Sequence, residues 1–270
     1  TRVMNELEGI LPQNLGVRLK TSNSRDEIGR LTGTFNKLLD RIENAFQVQK
    51  TFVANVSHEL KNPLTKINSQ LDVVLLKDRE PETYRQTVAS VLEDIKDLSL
   101  LSDSLLELAK VSDDRRDLLT ERVRIDDLLL DLRTKMLNMQ NEYSVGIDFG
   151  DLPEDDSWLE LQGNTELLKT AFLNLMDNGC KFSPDHSVQV RLDTTKEYIK
   201  VEVADHGEGI PESDRHQIFH PFFRSNKTAG VKGYGIGLSL TERIVRLHGG
   251  TIALKTGTDG TVFTVVFKRR

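Results

Sequence analysis

A chain of 270 residues exceeds the usual size of one domain, so two or three modules are expected. A net charge of -6 with no basic stripe speaks against a general nucleic-acid binder; the lone Cys180 excludes an internal disulfide framework and a cysteine-based zinc site, and fits a reducing, cytosolic compartment. No apolar run of about 18 residues spans a membrane, no signal peptide is present, and the chain opens at Thr1 rather than at a methionine, so it reads as a fragment whose upstream part, with any membrane spans, is missing.

From Thr1 to Gln49 the pattern is helix, break, helix. Met4, Leu7, Ile10 and Leu11 sit at helical spacing before Pro12; Gly16 to Ser24 has the composition of a connector; DEIGRL from Asp26 opens a second helix with acidic residues in its first turn. By periodicity alone this is equally a surface helical hairpin. The second helix continues, because Leu31, Leu38, Ala45 and Phe52 recur every seven residues, as do Phe35, Ile42, Gln49 and Val56. That repeat is a seam of the kind that pairs helices in a parallel dimer. Nothing between Asp26 and Asn62 is proline, so one helix is expected to run through FVANVSHELKNPLT, Phe52 to Thr65.

At about 100° per residue, Val53, Val56, Leu60, Leu64, Ile67, Leu71 and Val74 form one stripe and His58 lies on the opposite side, facing water. The alternative is a plain surface histidine. Three neighbours argue for more. Glu59 can take a proton from one ring nitrogen while the other attacks, Asn62 one turn on can orient a water or phosphoryl oxygen, and Pro63 should bend the helix just past the histidine. The helix should end near Lys77 to Glu80, since Pro81 suits the first turn of a second one, whose stripe is Val88, Val91, Ile95, Leu98, Leu105 and Leu108 to about Val111. Such a hairpin, apolar on one face, completes its core by pairing with another copy, giving a dimeric four-helix bundle. Ser112 to Arg122 is charged and lacks an apolar period; it reads as a hinge or a frayed helix end.

From Val123 the texture becomes mixed. Ile125 to Asn141 and Thr165 to Lys181 look helical, as does Ile236 to Leu247. Strands are expected at Val145–Phe149, Trp158–Gln162, Val188–Leu192, Tyr198–Ala204, Thr251–Lys255 and Thr261–Phe267. Without regular βαβ alternation, an α/β sandwich with helices on one face of a mixed sheet is favoured over a doubly wound sheet.

Four segments carry chemistry. In NLMDNGCKFS, Asn174 and Asn178 lie one turn apart with Lys181 a turn further, so two amide oxygens and an ammonium converge, a donor set that suits magnesium and phosphates. In DHGEGI, Asp205 ends a strand and can accept from an exocyclic amine such as that of adenine, while Gly207 and Gly209 let the base lie against the backbone. IFHPFFR offers apolar packing that ends in Arg224, a permanent cation. GYGIGL places Gly233, Gly235 and Gly237 at a helix start, where free N–H groups favour phosphate. Taken singly, each is a weak signal, and the first three have plain structural explanations: a helix surface, an Asp/Gly turn and an aromatic cluster. Neither a dinucleotide fingerprint nor a Walker A sequence occurs.

These residues carry a family resemblance in three parts. DEIGRLTGTFNKLLDRIENAF resembles the second half of a HAMP linker. SHELKNPLT resembles the H-box of the dimerisation and phosphoacceptor (HisKA-type) domain of bacterial sensor histidine kinases. The four segments, in their order, resemble the N, G1, F and G2 boxes of the catalytic ATP-binding domain shared by histidine kinases with gyrase-like and Hsp90-like ATPases, the GHKL superfamily. The resemblance implies a multidomain α plus α/β chain: a partial HAMP linker at 1–46, a dimerisation and phosphotransfer hairpin at 47–111, a hinge at 112–122 and an ATP-binding α/β sandwich at 123–270. It further implies that Asn178 ligates magnesium, that Asn174 and Lys181 support the phosphates, and that Phe182 and Asp205 hold adenine. Gly207, Gly209, Gly233, Gly235, Gly237 and Leu238 would line the nucleotide, Arg224 would meet its terminal phosphate, and Ser225 to Lys232 would form a lid. Two departures stand out. Asn164 occupies a position where aspartate is frequent, and Gly179-Cys180 replaces a small apolar pair, which should loosen the helix at Gly179.

The function so implied is that of a sensor histidine kinase: the γ-phosphoryl of ATP passes to His58 and on to an aspartate in a response regulator's receiver domain, with regulator phosphatase activity for which Asn62 positions water. The implied chain works as a homodimer and does not bind nucleic acid directly. It would be the cytoplasmic portion of a bacterial cell-membrane protein, meeting the membrane only through the missing upstream segment. The hand of the loop at Lys77 to Pro81 decides whether His58 is served by its own protomer or its mate. A GHKL-type ATPase is the first alternative; it would want a glutamate where this chain has Asn174, whose amide is not a base. A non-catalytic dimeric scaffold is the second, and His58, Asn178, Asp205 and the three glycines of GYGIGL argue against it.

Overall fold

The structure, a computed structural model, describes residues 18–19, 27–111, 119–139, 142–150, 153, 155–225, 231 and 233–269. The expected first helix, most of the hinge and most of the lid lie outside these residues. The chain divides into two compact units, Thr1–Leu75 and Leu76–Arg270.

The first unit is dominated by α1 (Glu27–Leu75), a 49-residue helix that runs unbroken through Pro63. It stops at Leu75, before the expected Lys77 to Glu80. Near its start, Asn36 takes both backbone groups of Leu19: its Oδ1 accepts from the Leu19 N–H (2.9 Å) and its Nδ2 donates to the Leu19 carbonyl (3.0 Å). Arg18 beside it pairs with Asp40 and Glu43. Leu19 and Leu39 are buried there, as are Ile67 and Val74 further on, while Leu31, Leu38, Ile42, Phe46, Val53 and Leu64 stay exposed.

The second unit opens with α2 (Pro81–Lys110), whose Pro81 occupies the first turn, where its missing N–H costs nothing. Its buried positions are Asp94, Leu101 and Leu108. The expected stripe is thus only partly buried, with Val88 and Ile95 exposed and Leu101, absent from that stripe, fully buried. Its C-terminal end meets the rest of the unit, where Arg243 donates to the Leu108 carbonyl (3.2 Å).

A short ribbon follows, with β1 (Glu121–Arg124) antiparallel to β3 (Glu160–Gly163). β1 was not expected, and it takes in Glu121 and Arg122 from the stretch read as hinge. Trp158 sits in a 3-10 turn, Asp156–Leu159, rather than in a strand. The main sheet has the order β2-β4-β5-β7-β6, comprising β2 (Ser144–Phe149), β4 (Ser187–Thr194), β5 (Tyr198–Asp205), β7 (Gly260–Lys268) and β6 (Gly250–Gly257). β2 and β4 are parallel and all other neighbours antiparallel.

Alternation along these strands decides the layers. Val188, Val190, Leu192, Ile199, Val201, Val203, Val265 and Phe267 turn inward onto α3 (Ile125–Met139), α4 (Thr165–Phe182) and α5 (Gly237–Leu247), whose Leu129, Leu132, Phe172, Met176 and Val245 complete one core. Phe172 meets Phe267 edge-on at 6.4 Å. The other sheet face is polar, with Arg191 paired to Asp148 and Asp193, and Lys200 to Asp193 and Glu202. The α/β sandwich is therefore as expected, a mixed sheet with helices on one face. No helix among the described residues is long and apolar enough to cross a membrane.

Candidate functional site

In the first unit, His58 is exposed on α1, as its place opposite the apolar stripe requires. Asn62 Nδ2 lies 3.3 Å from His58 Nδ1, so the amide reaches the ring one turn back and leaves Nε2 facing outward. Glu59 is half-buried beside it.

In the second unit, α4 is set from its N-terminus. Asn164 caps it by accepting from Leu167 N (3.0 Å), and the Glu121 carboxylate accepts from Thr165 N (3.2 Å) and from its hydroxyl. The helix ends at Ser183 before Pro184, after carrying Asn174, Asn178 and Lys181 to one end of the sheet. Lys181 pairs with Asp177, which also accepts from the Tyr143 hydroxyl (3.2 Å). Phe182 is 41% exposed at the helix end. The loosening expected at Gly179 is absent, because α4 continues through it; a Cβ there would fall 2.5 Å from Val188 Cγ2, so glycine is what lets β4 approach.

Asp205 ends β5 beside this helix. Its Oδ1 accepts from Gly207 N (2.8 Å) and Thr261 N (3.1 Å). Burial pushes this carboxyl above its usual range, against the two backbone N–H bonds that favour its ionised form. Ser183 Oγ accepts from His206 N (3.0 Å), and a Cβ on Gly207 would strike the Phe182 carbonyl at 2.7 Å, so the end of α4 and the Asp205 turn are clasped. Gly209 has φ +72 and a Cβ there would lie 2.0 Å from the Gly257 carbonyl; the turn needs both its conformation and its smallness. Ile210 N bonds Thr256 Oγ1 (2.8 Å) and fixes the same turn from β6.

The last two segments meet each other. Phe222 N donates to the Gly235 carbonyl (2.8 Å), Ile218 and Phe223 pack against the core, and Arg224 Nη2 donates to the Val231 carbonyl (2.7 Å) across the base of the expected lid. Gly233 is exposed, and Leu238 packs against the core from the first turn of α5. A Cβ on Gly237 would come within 3.4 Å of the Asn174 side chain, so the glycine-rich start of α5 faces α4 at that amide.

All four segments are thus gathered at one end of the sheet. Tyr143, Asp177, Ser183, Thr256 and Thr261 belong to the same neighbourhood and were not singled out from sequence. Only Asp177 carried a local signal, its i,i+4 spacing to Lys181. Among the described residues no group of three or more His, Cys, Asp or Glu side chains could hold a metal. Asn174 and Asn178 offer amide oxygens at this end, and these fit magnesium, which takes oxygen ligands and is commonly held together with substrate phosphates.

Comparison with known proteins agrees. Residues 163–270 match the family described as histidine kinase-, DNA gyrase B-, and HSP90-like ATPase. Residues 48–114 match the His Kinase A (phospho-acceptor) domain and residues 1–44 the HAMP domain. The chain thus carries matches to a HAMP domain, a phospho-acceptor domain and a histidine kinase-like ATPase domain, in that order. It is 28% identical over 280 aligned residues to sensor histidine kinase CusS of Escherichia coli O157:H7, covering 99% of this chain. It is 29% identical over 257 residues to signal transduction histidine-protein kinase ArlS of Staphylococcus aureus strain USA300, covering 93%. The chain spans 55% of the length of each of these relatives. Among solved structures, the histidine kinase ThkA in complex with response regulator TrrA has the same fold, with a TM-score of 0.66 at 21% identity over 84% of this chain and 64% of that one.

Proposed function

We propose that this chain is the cytoplasmic part of a membrane-bound sensor kinase, working as a homodimer. It binds ATP with magnesium, transfers the γ-phosphoryl to His58 and passes it to an aspartate of a response regulator's receiver domain. The observation that carries this reading is the gathering of the Asn174–Asn178, Asp205–Gly209, Phe222–Arg224 and Gly233–Gly237 segments at one end of the sheet, in a chain that also carries an exposed histidine on a long helix.

In this reading Asp205 takes the adenine amine beside Phe182, Gly207 and Gly209. The N–H groups at Gly235, Gly237 and Leu238 meet phosphate, helped by Gly233, Asn174 and Lys181. Asn178 holds the magnesium, which offsets phosphate charge when bound. Arg224, now on the Val231 carbonyl, would exchange that partner for the terminal phosphate. His58 would attack the γ-phosphorus through Nε2 as ADP leaves, Glu59 would take up the proton that the ring gives up, and the Asn62 amide lies beside Nδ1 to hold the ring in place. Once phosphate is on the regulator, the same amide can position a water for its removal.

The test is incubation with γ-labelled ATP and magnesium, followed by a search for acid-labile, base-stable label. Label is expected on His58 and absent from His58→Gln, which should keep its nucleotide affinity. Persisting label would move the acceptor elsewhere, and rapid hydrolysis without label would favour a self-contained ATPase. Asn62→Ala should slow dephosphorylation of the regulator more than autophosphorylation; equal effects would remove the water-positioning role.

A further inference from the structure

His248 lies just beyond α5 and takes no part in the chemistry above. It is 7% exposed, and its two ring nitrogens face partners that cannot exchange roles. Nδ1 lies 2.7 Å from the Ile244 carbonyl, which only accepts; Nε2 lies 3.0 Å from the Asn164 N–H, which only donates. The imidazole is therefore neutral, with its hydrogen on Nδ1. The ring is also wedged. A Cβ on Gly163 would fall 2.8 Å from His248 Cδ2, and Phe267 meets the ring edge-on at 6.4 Å.

The contact joins the start of α4 to the end of α5. Further along, Thr241 Oγ1 donates to the Ala171 carbonyl (3.4 Å), and beyond that Gly237 faces Asn174. The two helices therefore run antiparallel. The stretches Asn164–Asn174 and Gly237–His248 each span about 15 Å at helical rise. Three contacts along that length fix the register, and His248 is the one farthest from the candidate phosphate site.

We propose that His248 is a positioning residue for phosphate recognition: by holding Asn164 it sets the register of α4 against α5, and with it the spacing between the Asn174 and Asn178 amides and the glycine-rich start of α5. This rests on the nucleotide reading above. Asp205 and Gly209, on the adenine side, depend on β5 and on the turns beside β6 and β7, so removal of His248 should weaken phosphate recognition while sparing adenine.

A pH signature follows. Burial pushes the imidazole below its usual range, and protonation would set an Nε2 hydrogen against the Asn164 N–H. Of the charged groups on neighbouring elements, Glu121 on β1 accepts from Thr165, Glu160 on β3 pairs with Arg122, Glu166 and Lys169 on α4 pair with each other, and Arg246 on α5 pairs with Glu242. Because the unfolded chain takes up the proton first, the contribution of His248 is complete above the ordinary imidazole range. It is lost as pH falls below that range toward the lower folded value.

Calorimetric titration of the full chain with magnesium-ATP and, separately, with adenosine tests the idea. His248→Phe keeps a ring and removes both bonds; magnesium-ATP should bind about tenfold more weakly, the scale of one or two lost buried hydrogen bonds, while adenosine changes by less than about twofold. His248→Gln, which can both donate and accept, should restore most of the affinity. Unchanged magnesium-ATP affinity in His248→Phe, or equal loss for both ligands, overturns the proposal. Should that variant fail to fold, the ratio of magnesium-ATP to adenosine affinity is followed in the parent and in His248→Gln from about pH 7.5 down to the lowest pH at which both chains stay folded. A steeper fall in the parent is expected, and parallel curves overturn the proposal. A parent chain that binds neither ligand would instead overturn the nucleotide reading itself.

Discussion

Along α1, Leu31 is 68% exposed, Leu38 48% and Val53 56%, whereas Val190, Ile199, Phe172 and Phe267 in the α/β domain are at most 1% exposed. Both regions are patterned for burial. The domain closes its own core because a sheet with helices on one face can bury a two-residue alternation within a single chain. A lone helix with a seven-residue repeat presents a seam that only another helix can cover. The domain's stability should thus be its own property, while that of α1 should depend on protein concentration.

The largest expected effect lies in the closed core: Phe172→Ala should destabilise the α/β domain by about 3–5 kcal/mol in a denaturant titration, and a value near zero would mean the core is not closed. On the open seam, Leu38→Gln should raise the dimer dissociation constant about tenfold by sedimentation equilibrium while leaving the domain's unfolding transition in place. Loss of domain stability in that variant would break the contrast. The smallest effect concerns helix ends. Asn164→Ala should cost about 1 kcal/mol, because Asn164 bonds Leu167 N at the start of α4, whereas Glu80→Ala should change stability by under about 0.5 kcal/mol, because Glu80 makes no side-chain cap on α2.

What the sequence reveals tracks the range of the interaction. Strands β4, β5 and β7 were legible because strict alternation is a local signature, and the asparagine and glycine segments because each does its work within one turn. β1 was hidden because ERVR is short, charged and defined only by its pairing with β3. The support of Asp205 by Thr261 depends on the β5–β7 register, which sets those residues opposite each other across 56 residues of chain. Tyr143 reaches Asp177 across 34 residues in the same way. At Gly179 the local rule misled, because propensity counts the backbone's freedom and not the room that Val188 requires.

The polar face of the main sheet has a consequence for assembly of the chain. Asp148, Arg191, Asp193, Lys200 and Glu202 form a ladder of alternating charge across β2, β4 and β5. A slip of β4 by one residue would turn Val188, Val190 and Leu192 to water and drive Arg191 into the core, at a cost of several kcal/mol for the unpaired charge. The ladder therefore acts as proofreading: it adds little to the folded state's stability at the surface, but it makes each misaligned pairing of these strands visibly worse than the correct one.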